Sequence, residues 1–197
     1  MAGPIMSATY TIRYATQSDV AIVLSLLREL AEYEKELSSC KTTEEMLLST
    51  LSFPINPSAS TSSSPTPIQF TKGYARTLLI SPNDAVDTIV GIAVYFPNYS
   101  TWTGPGIYIE DMIITASQRG KGYGKALLSA VAREVGGAAG VKGVNEYGMG
   151  RLQWSVLKWN NPSIDLFLSD NVGAFLKDEY LACQVDGEKL ARLAGRW

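Results

Sequence analysis

The sequence predicts an α/β domain built around a mixed sheet, in the order β-α-α-β-β-β-α-β-α-β. Three observations carry that prediction. Short alternating or continuously apolar runs such as "YTIRYA", "TIVGIAVYF" and "IYIEDMIIT" read as strands, and two segments repeat apolar side chains at helical spacing. The two kinds of segment interleave along the chain instead of forming separate blocks, as a layered α/β domain requires.

Taken in order, "YTIRYA" alternates as a half-buried strand does. In "QSDVAIVLSLLRELAEYEKEL", Val20, Val23, Leu24, Leu27 and Leu30 share one helical face. Thr42 with Glu45 three residues later forms a capping-box pattern and predicts a short helix through Met46, Leu47 and Leu51, stopped near Pro54. "YARTLLI" and "TIVGIAVYF" predict adjacent strands joined as a hairpin across "SPNDAVD". "IYIEDMIIT" follows as a strand with too much apolar content to expose a whole face. A helix then carries Leu127, Leu128, Val131 and Val135 on one side. "RLQWSVL" predicts a strand, "PSIDLFLSD" a short helix and "EYLACQV" a final strand. Two segments have little to bury, "NPSASTSSSPTP" and "GGAAGVKGVNEYGMG". They read as flexible insertions at about 56–68 and 136–150 within one domain spanning residues 1–197.

Composition narrows the function. The chain is 46% hydrophobic and 18% charged, with a formal net charge of −2 and a pI near 5.2. Nucleic-acid binding, which needs clustered cations to displace phosphate counterions, is therefore not expected. The sequence shows neither a basic, apolar leader nor a run of membrane-spanning length, so a soluble cytoplasmic protein is the expectation. Cys40 and Cys183 are too far apart for a CxxC motif and read as free thiols, Cys183 within the final strand. Asn98-Tyr99-Ser100 spells a glycosylation sequon, read as chance without a secretory signal. Histidine is absent from the entire sequence. Triads built on histidine and histidine-ligated zinc are thereby excluded, no metal site is expected, and proton transfer must fall to Glu, Asp, Tyr, Lys, Cys or water.

The segment "ITASQRGKGYGKALLSAV" runs from the apolar strand through Gly120, Gly122 and Gly124 into the next helix. A Walker loop fails, because Ala126 follows Gly124-Lys125 and Arg119 occupies the first glycine position. A dinucleotide fingerprint fails as well, because Lys125 stands where its third glycine belongs. What remains is Arg119-x-x-Gly122-x-Gly124 between strand and helix. Small residues there let backbone N–H groups at a helix N-terminus approach a pyrophosphate, with Arg119, Lys121 and Lys125 adding positive charge.

This pattern resembles the acyl-CoA-binding motif of the GNAT acetyltransferase superfamily. Most of the chain is similar to its diamine group, which acetylates spermidine, spermine or thialysine: "IRYATQSDVAIVLSLLRELAEYEK", "IVGIAVYF", "YIEDMII", "RGKGYGKALL" and "WNNPSI" match in the family's order. The resemblance implies a mostly antiparallel GNAT sheet, acetyl-CoA as cosubstrate, and direct acetyl transfer to a primary amine of a small cationic substrate. It also implies a homodimer.

An alkylamine with a pKa near 10.4 is protonated at neutral pH, so a base must take its proton. Glu110 and Asp111 sit where the strand nears the glycine loop, and adjacent strand residues are expected on opposite faces, one of them toward the cleft. The resemblance makes Glu110 the general base, acting through water, and Asp111 a substrate-orienting group. It assigns CoA contacts to the backbone of Met112, Ile113 and Ile114, to Arg119, Gly120, Lys121, Gly122, Tyr123, Gly124 and Lys125, and to Asn160 and Ser163. Tyr33, Glu34 and Trp102 match amine-site positions, an acidic and aromatic set suited to a cation. Two departures stand out. Ser100 replaces an acidic residue of the polyamine enzymes, which favours smaller amines such as thialysine. Phe167 replaces the tyrosine that protonates the departing thiolate, leaving Tyr180 or water for that role, or a step that needs no acid. Phe167 also keeps open a non-catalytic acyl-CoA sensor, beside an enzyme acting on protein amines.

Overall fold

The computed structural model describes residues 5–55, 68–135 and 150–195. The predicted insertions lie almost wholly outside that range. The chain divides into two compact units, Met1–Ser155 and Val156–Trp197.

The first unit contains one six-stranded sheet in the order β1-β2-β3-β4-β5-β6. Its strands are β1 (Ile5–Met6), β2 (Tyr10–Tyr14), β3 (Arg76–Pro82), β4 (Gly91–Ser100), β5 (Gly104–Ile114) and β6 (Leu152–Trp154). Neighbours are antiparallel except β5 and β6, which run parallel. Helices α1 (Val20–Tyr33) and α2 (Glu44–Thr50) cover one face. Val20, Val23, Leu24, Leu26 and Leu47 from these helices form one apolar cluster with Leu79, Ile92, Val94 and Ile113 of the sheet. Alternation sends Ile80 and Ala93 to the other face, where α3 (Tyr123–Val135) buries Leu127 and Val131 completely.

α3 is held at both ends. Near its start, the Tyr123 ring meets Tyr10 of β2 edge-on at 6.2 Å between centroids. Near its end, the Tyr14 hydroxyl donates to Glu134 Oε1 at 2.7 Å, with Arg76 3.8 Å from the same carboxylate. The helix N-terminus is thereby fixed against the sheet, which matters for the loop before it.

The second unit holds α4 (Asn161–Leu168) and α5 (Gly187–Ala194). The predicted strand "EYLACQV" does not form: Glu179–Val185 is irregular, and Cys183 is an exposed free thiol. A β-rich stretch becomes a strand only where a ladder partner exists, and the described residues of this unit offer none. α5 was missed by periodicity, although Asp186 precedes it, Gly195 ends it, and Glu188 pairs with Arg192 one turn on.

Three smaller corrections concern ends and caps. β1 was not expected. α1 stops at Tyr33 instead of continuing to Leu37, because Lys35 adopts the left-handed conformation at φ 64°. α2 is capped by Thr43, whose side chain accepts from Met46 N at 3.2 Å, and not by Thr42. Replacing Thr43 by alanine should cost about 1 kcal/mol in denaturant unfolding, and Thr42→Ala should stay within about 0.5 kcal/mol of the parent. Equal losses would contradict this cap.

Candidate active site

A one-residue bulge interrupts β5. Val94 pairs with Asp111, but the next residue, Tyr95, pairs with Ile109, so Glu110 is supernumerary. The backbone on either side shows the change of parity. Ile107 N donates across to Arg151 O at 2.8 Å, on the β6 side, whereas Thr115 N donates to Val90 O at 2.9 Å, on the β4 side. Beyond the bulge, even-numbered Met112 and Ile114 therefore turn their N–H and C=O groups toward β6. β6 pairs only as far as Ile109 with Trp154. Among the described residues no strand pairs with that stretch of edge.

The bulge also corrects the expectation that Glu110 and Asp111 face opposite ways. Ile109 lies opposite Tyr95 on the α3 face, whereas Ile113 packs in the α1–α2 cluster. Between them the extra residue places both carboxylates on the α1 face. Glu110 is exposed and Asp111 half-buried. Burial pushes the Asp111 carboxyl up to about 6, and the charges of Glu110 and then Glu34 add to the rise. Glu34, directly after the last residue of α1, is itself pushed up by burial. Asp111 thus feels two further carboxylates, one beside it on β5 and one at the end of α1, and the three together suit a cation.

After β5 a turn over Ala116–Gln118 leads to the glycine loop. Gly120 and Gly122 have φ of 78° and 82°, and a Cβ at either would meet nothing within 4 Å. Glycine is thus required by backbone conformation and leaves the chain open on its outer side. The backbone N–H groups of Gly120, Lys121, Gly122, Tyr123 and Gly124 have no acceptor among the described residues. Ala126 N, by contrast, already donates to Gly122 O at 3.0 Å. A run of free donors at a helix N-terminus is chemically suited to a diphosphate. Lys125 stands in the first turn of α3, and Lys121 Nζ donates to Gln118 Oε1 at 2.7 Å.

The Arg119 side chain turns back toward the end of β5. Its Nε donates to Ile114 O at 3.0 Å, and its guanidinium lies 4.6 Å from the centre of the Tyr33 ring. Glu29, one turn before Tyr33, accepts from Ala116 N at 3.3 Å. Sequence reading missed Glu29; its i,i+4 relation to Tyr33 was the available signal.

One expected residue of the first unit stands apart from this cluster. Trp102 is 87% exposed at the β4–β5 turn, about 20 Å along β5 from Glu110 by strand rise. Asn160 and Ser163 belong to the second unit, where the Asn160 carbonyl accepts from Ser163 N and Ile164 N at the start of α4. Phe167 is buried within α4, and Tyr180 is exposed with Lys177 over its ring.

The model of the acetyltransferase (GNAT) family matches residues 47–169. The chain is 31% identical over 187 residues to the thialysine N-epsilon-acetyltransferase of Bos taurus, covering 94% of this chain and 97% of that one. It is 31% identical over 205 residues to the L-ornithine N5-acetyltransferase of Arabidopsis thaliana, covering 91% and 85%. Among solved structures it is similar to an integron cassette protein from the mobile metagenome of V. cholerae, with TM-score 0.63, 18% identity and coverage of 96% and 99%. That last likeness concerns the fold.

The half-buried Asp111 carboxylate makes a stability prediction. Because the folded-state value of Asp111 lies above its ordinary 3.8, ionising it costs more in the folded protein than in the unfolded chain. The cost is absent below about pH 4, grows as pH rises through about 6, and is complete above that. Asp111→Asn should therefore stabilise the protein by roughly 1–3 kcal/mol at pH 7.5 and by nothing comparable at pH 3.5. A pH-independent effect in thermal unfolding would contradict the assigned environment.

Proposed function

Because the chain belongs to the acetyltransferase (GNAT) family, we propose that it moves the acetyl group of acetyl-CoA directly to a primary amine of a small cationic substrate, such as thialysine or a short diamine. The observation that carries this reading is the shared electrostatics of Glu34, Glu110 and Asp111 at the strand that leads into a loop whose N–H donors have no acceptor among the described residues. One group attracts a cation and the other an anion, as the two substrates require.

Acetyl-CoA supplies an acetyl group already activated as a thioester. The N–H groups of Gly120 to Gly124 fit its diphosphate, since no acceptor among the described residues satisfies them. The outward backbone groups of Met112 suit the amide-bearing arm, as an unpaired strand edge does. Asp111 and Glu34 hold the substrate's positive charge, with Asp111 most effective above pH 6, where it is ionised. Glu110, exposed on the bulge, takes the ammonium proton through water and leaves the nitrogen lone pair free to attack. With phenylalanine at position 167, the thiolate leaves unaided or with a proton from water. That is feasible for a thiol whose ordinary pKa is about 8.5.

Turnover of a panel of thialysine, ornithine, short diamines, spermidine, amino sugars and lysine peptides, read by CoA thiol release, tests the reading. Small dicationic amines should lead. Glu110→Gln should lower kcat by about 100-fold or more and leave CoA affinity within about twofold in calorimetry. No turnover of any amine by a protein that binds CoA would contradict the proposal.

A further inference from the structure

The two halves of this site are physically tied. Arg119 directly precedes the first glycine of the loop, yet its side chain turns back toward the amine side. Its Nε donates to Ile114 O at 3.0 Å, fixing the guanidinium plane at the end of β5. From there the guanidinium lies over the Tyr33 ring at 4.6 Å, a cation–π distance. Tyr33 is the last residue of α1, and Glu34 after it raises Asp111. A second strut runs parallel, from Glu29 on the same helix to Ala116 N at the start of the turn leading into the loop.

We propose that Arg119 is a positioning residue that couples the nucleotide loop to the amine pocket through Tyr33, so that occupancy of either site strengthens binding at the other. This inference rests on the acetyltransferase reading. Three features of the contact support it. The fork of Arg119 serves two elements at once, the carbonyl at the end of β5 and the ring at the end of α1. The loop's free N–H groups begin one residue after it, so an anion that orders Gly120 to Gly124 also restricts the Arg119 backbone. On the other side, a cation at Glu34 and Asp111 fixes the end of α1, and with it the ring on which the guanidinium rests. Lysine could not reproduce this arrangement, because an ammonium lacks the planar fork that donates to a carbonyl and stacks at the same time.

Binding energies test the proposal without turnover. Calorimetry of free CoA, with and without saturating thialysine, should show CoA affinity rising about fivefold or more in the parent protein, and thialysine affinity rising by the same factor with CoA. Arg119→Lys and Tyr33→Leu should each bring that factor to near one. The double variant should lose no more than either single. Tyr33→Phe keeps the ring and should keep the coupling, which separates the contact from general loosening of α1. In steady state, Tyr33→Leu should raise the KM for amine several-fold at little cost in kcat. Coupling that survives in Arg119→Lys or Tyr33→Leu overturns the inference. So does CoA affinity that collapses in Arg119→Lys with coupling intact, which would make the side chain a phosphate ligand. A parent protein that binds CoA with no response to thialysine overturns this inference alone, and one that binds no CoA overturns the acetyltransferase reading with it.

Discussion

One extra residue in β5 is the constraint on which the site depends. Without Glu110 as a supernumerary, the strand would continue its alternation and one of the two carboxylates would fall on the α3 side. The same insertion turns the N–H and C=O groups of Met112 and Ile114 toward the edge that β6 leaves. Side-chain placement and backbone availability, two requirements of different kinds, thus follow from one break in register. Bulges commonly re-aim side chains and end pairing in this way.

The electrostatics follow from where the bulge lies. It sits beneath the end of α1, so Asp111 shares its surroundings with Glu34 as well as with Glu110. Placing like charges together is costly unless a cation joins them. A chain without histidine has few ways to hold a group that titrates near neutrality, and a crowded, half-buried carboxylate is one of them. Opposite in sign, the glycine loop offers partial positive charge from N–H groups at the start of α3. The pinning of α3 by Tyr10 at one end and Tyr14 at the other keeps those donors aimed.

Much of this was legible in the sequence, for physical reasons. α1 and α3 announce themselves by apolar period, and "IYIEDMIIT" by an apolar run too continuous for a surface strand. The glycine pattern was legible because positive φ at Gly120 and Gly122 leaves few other residues possible. The bulge was not, since Glu110-Asp111 reads as ordinary alternation until the register of β4 is known. Nor was the direction of Arg119, whose length allows it to reach either outward or back to Ile114 and Tyr33. Adjacent threonines hid which one caps α2: Thr42 has a glutamate three residues on, but the bond is made by Thr43 to Met46 N. "EYLACQV" has the composition of a strand and no partner among the described residues of its own unit, so propensity alone misled.

The central claim is that the bulge brings Glu110 and Asp111 into one electrostatic site. Carbon-13 NMR titration of the side-chain carboxyls tests it most directly. The account predicts that Asp111 titrates near 6 in the parent protein and moves downward in Glu110→Gln, once its nearest like charge is gone. An Asp111 that titrates with ordinary surface carboxylates, or that ignores the loss of Glu110, would contradict it.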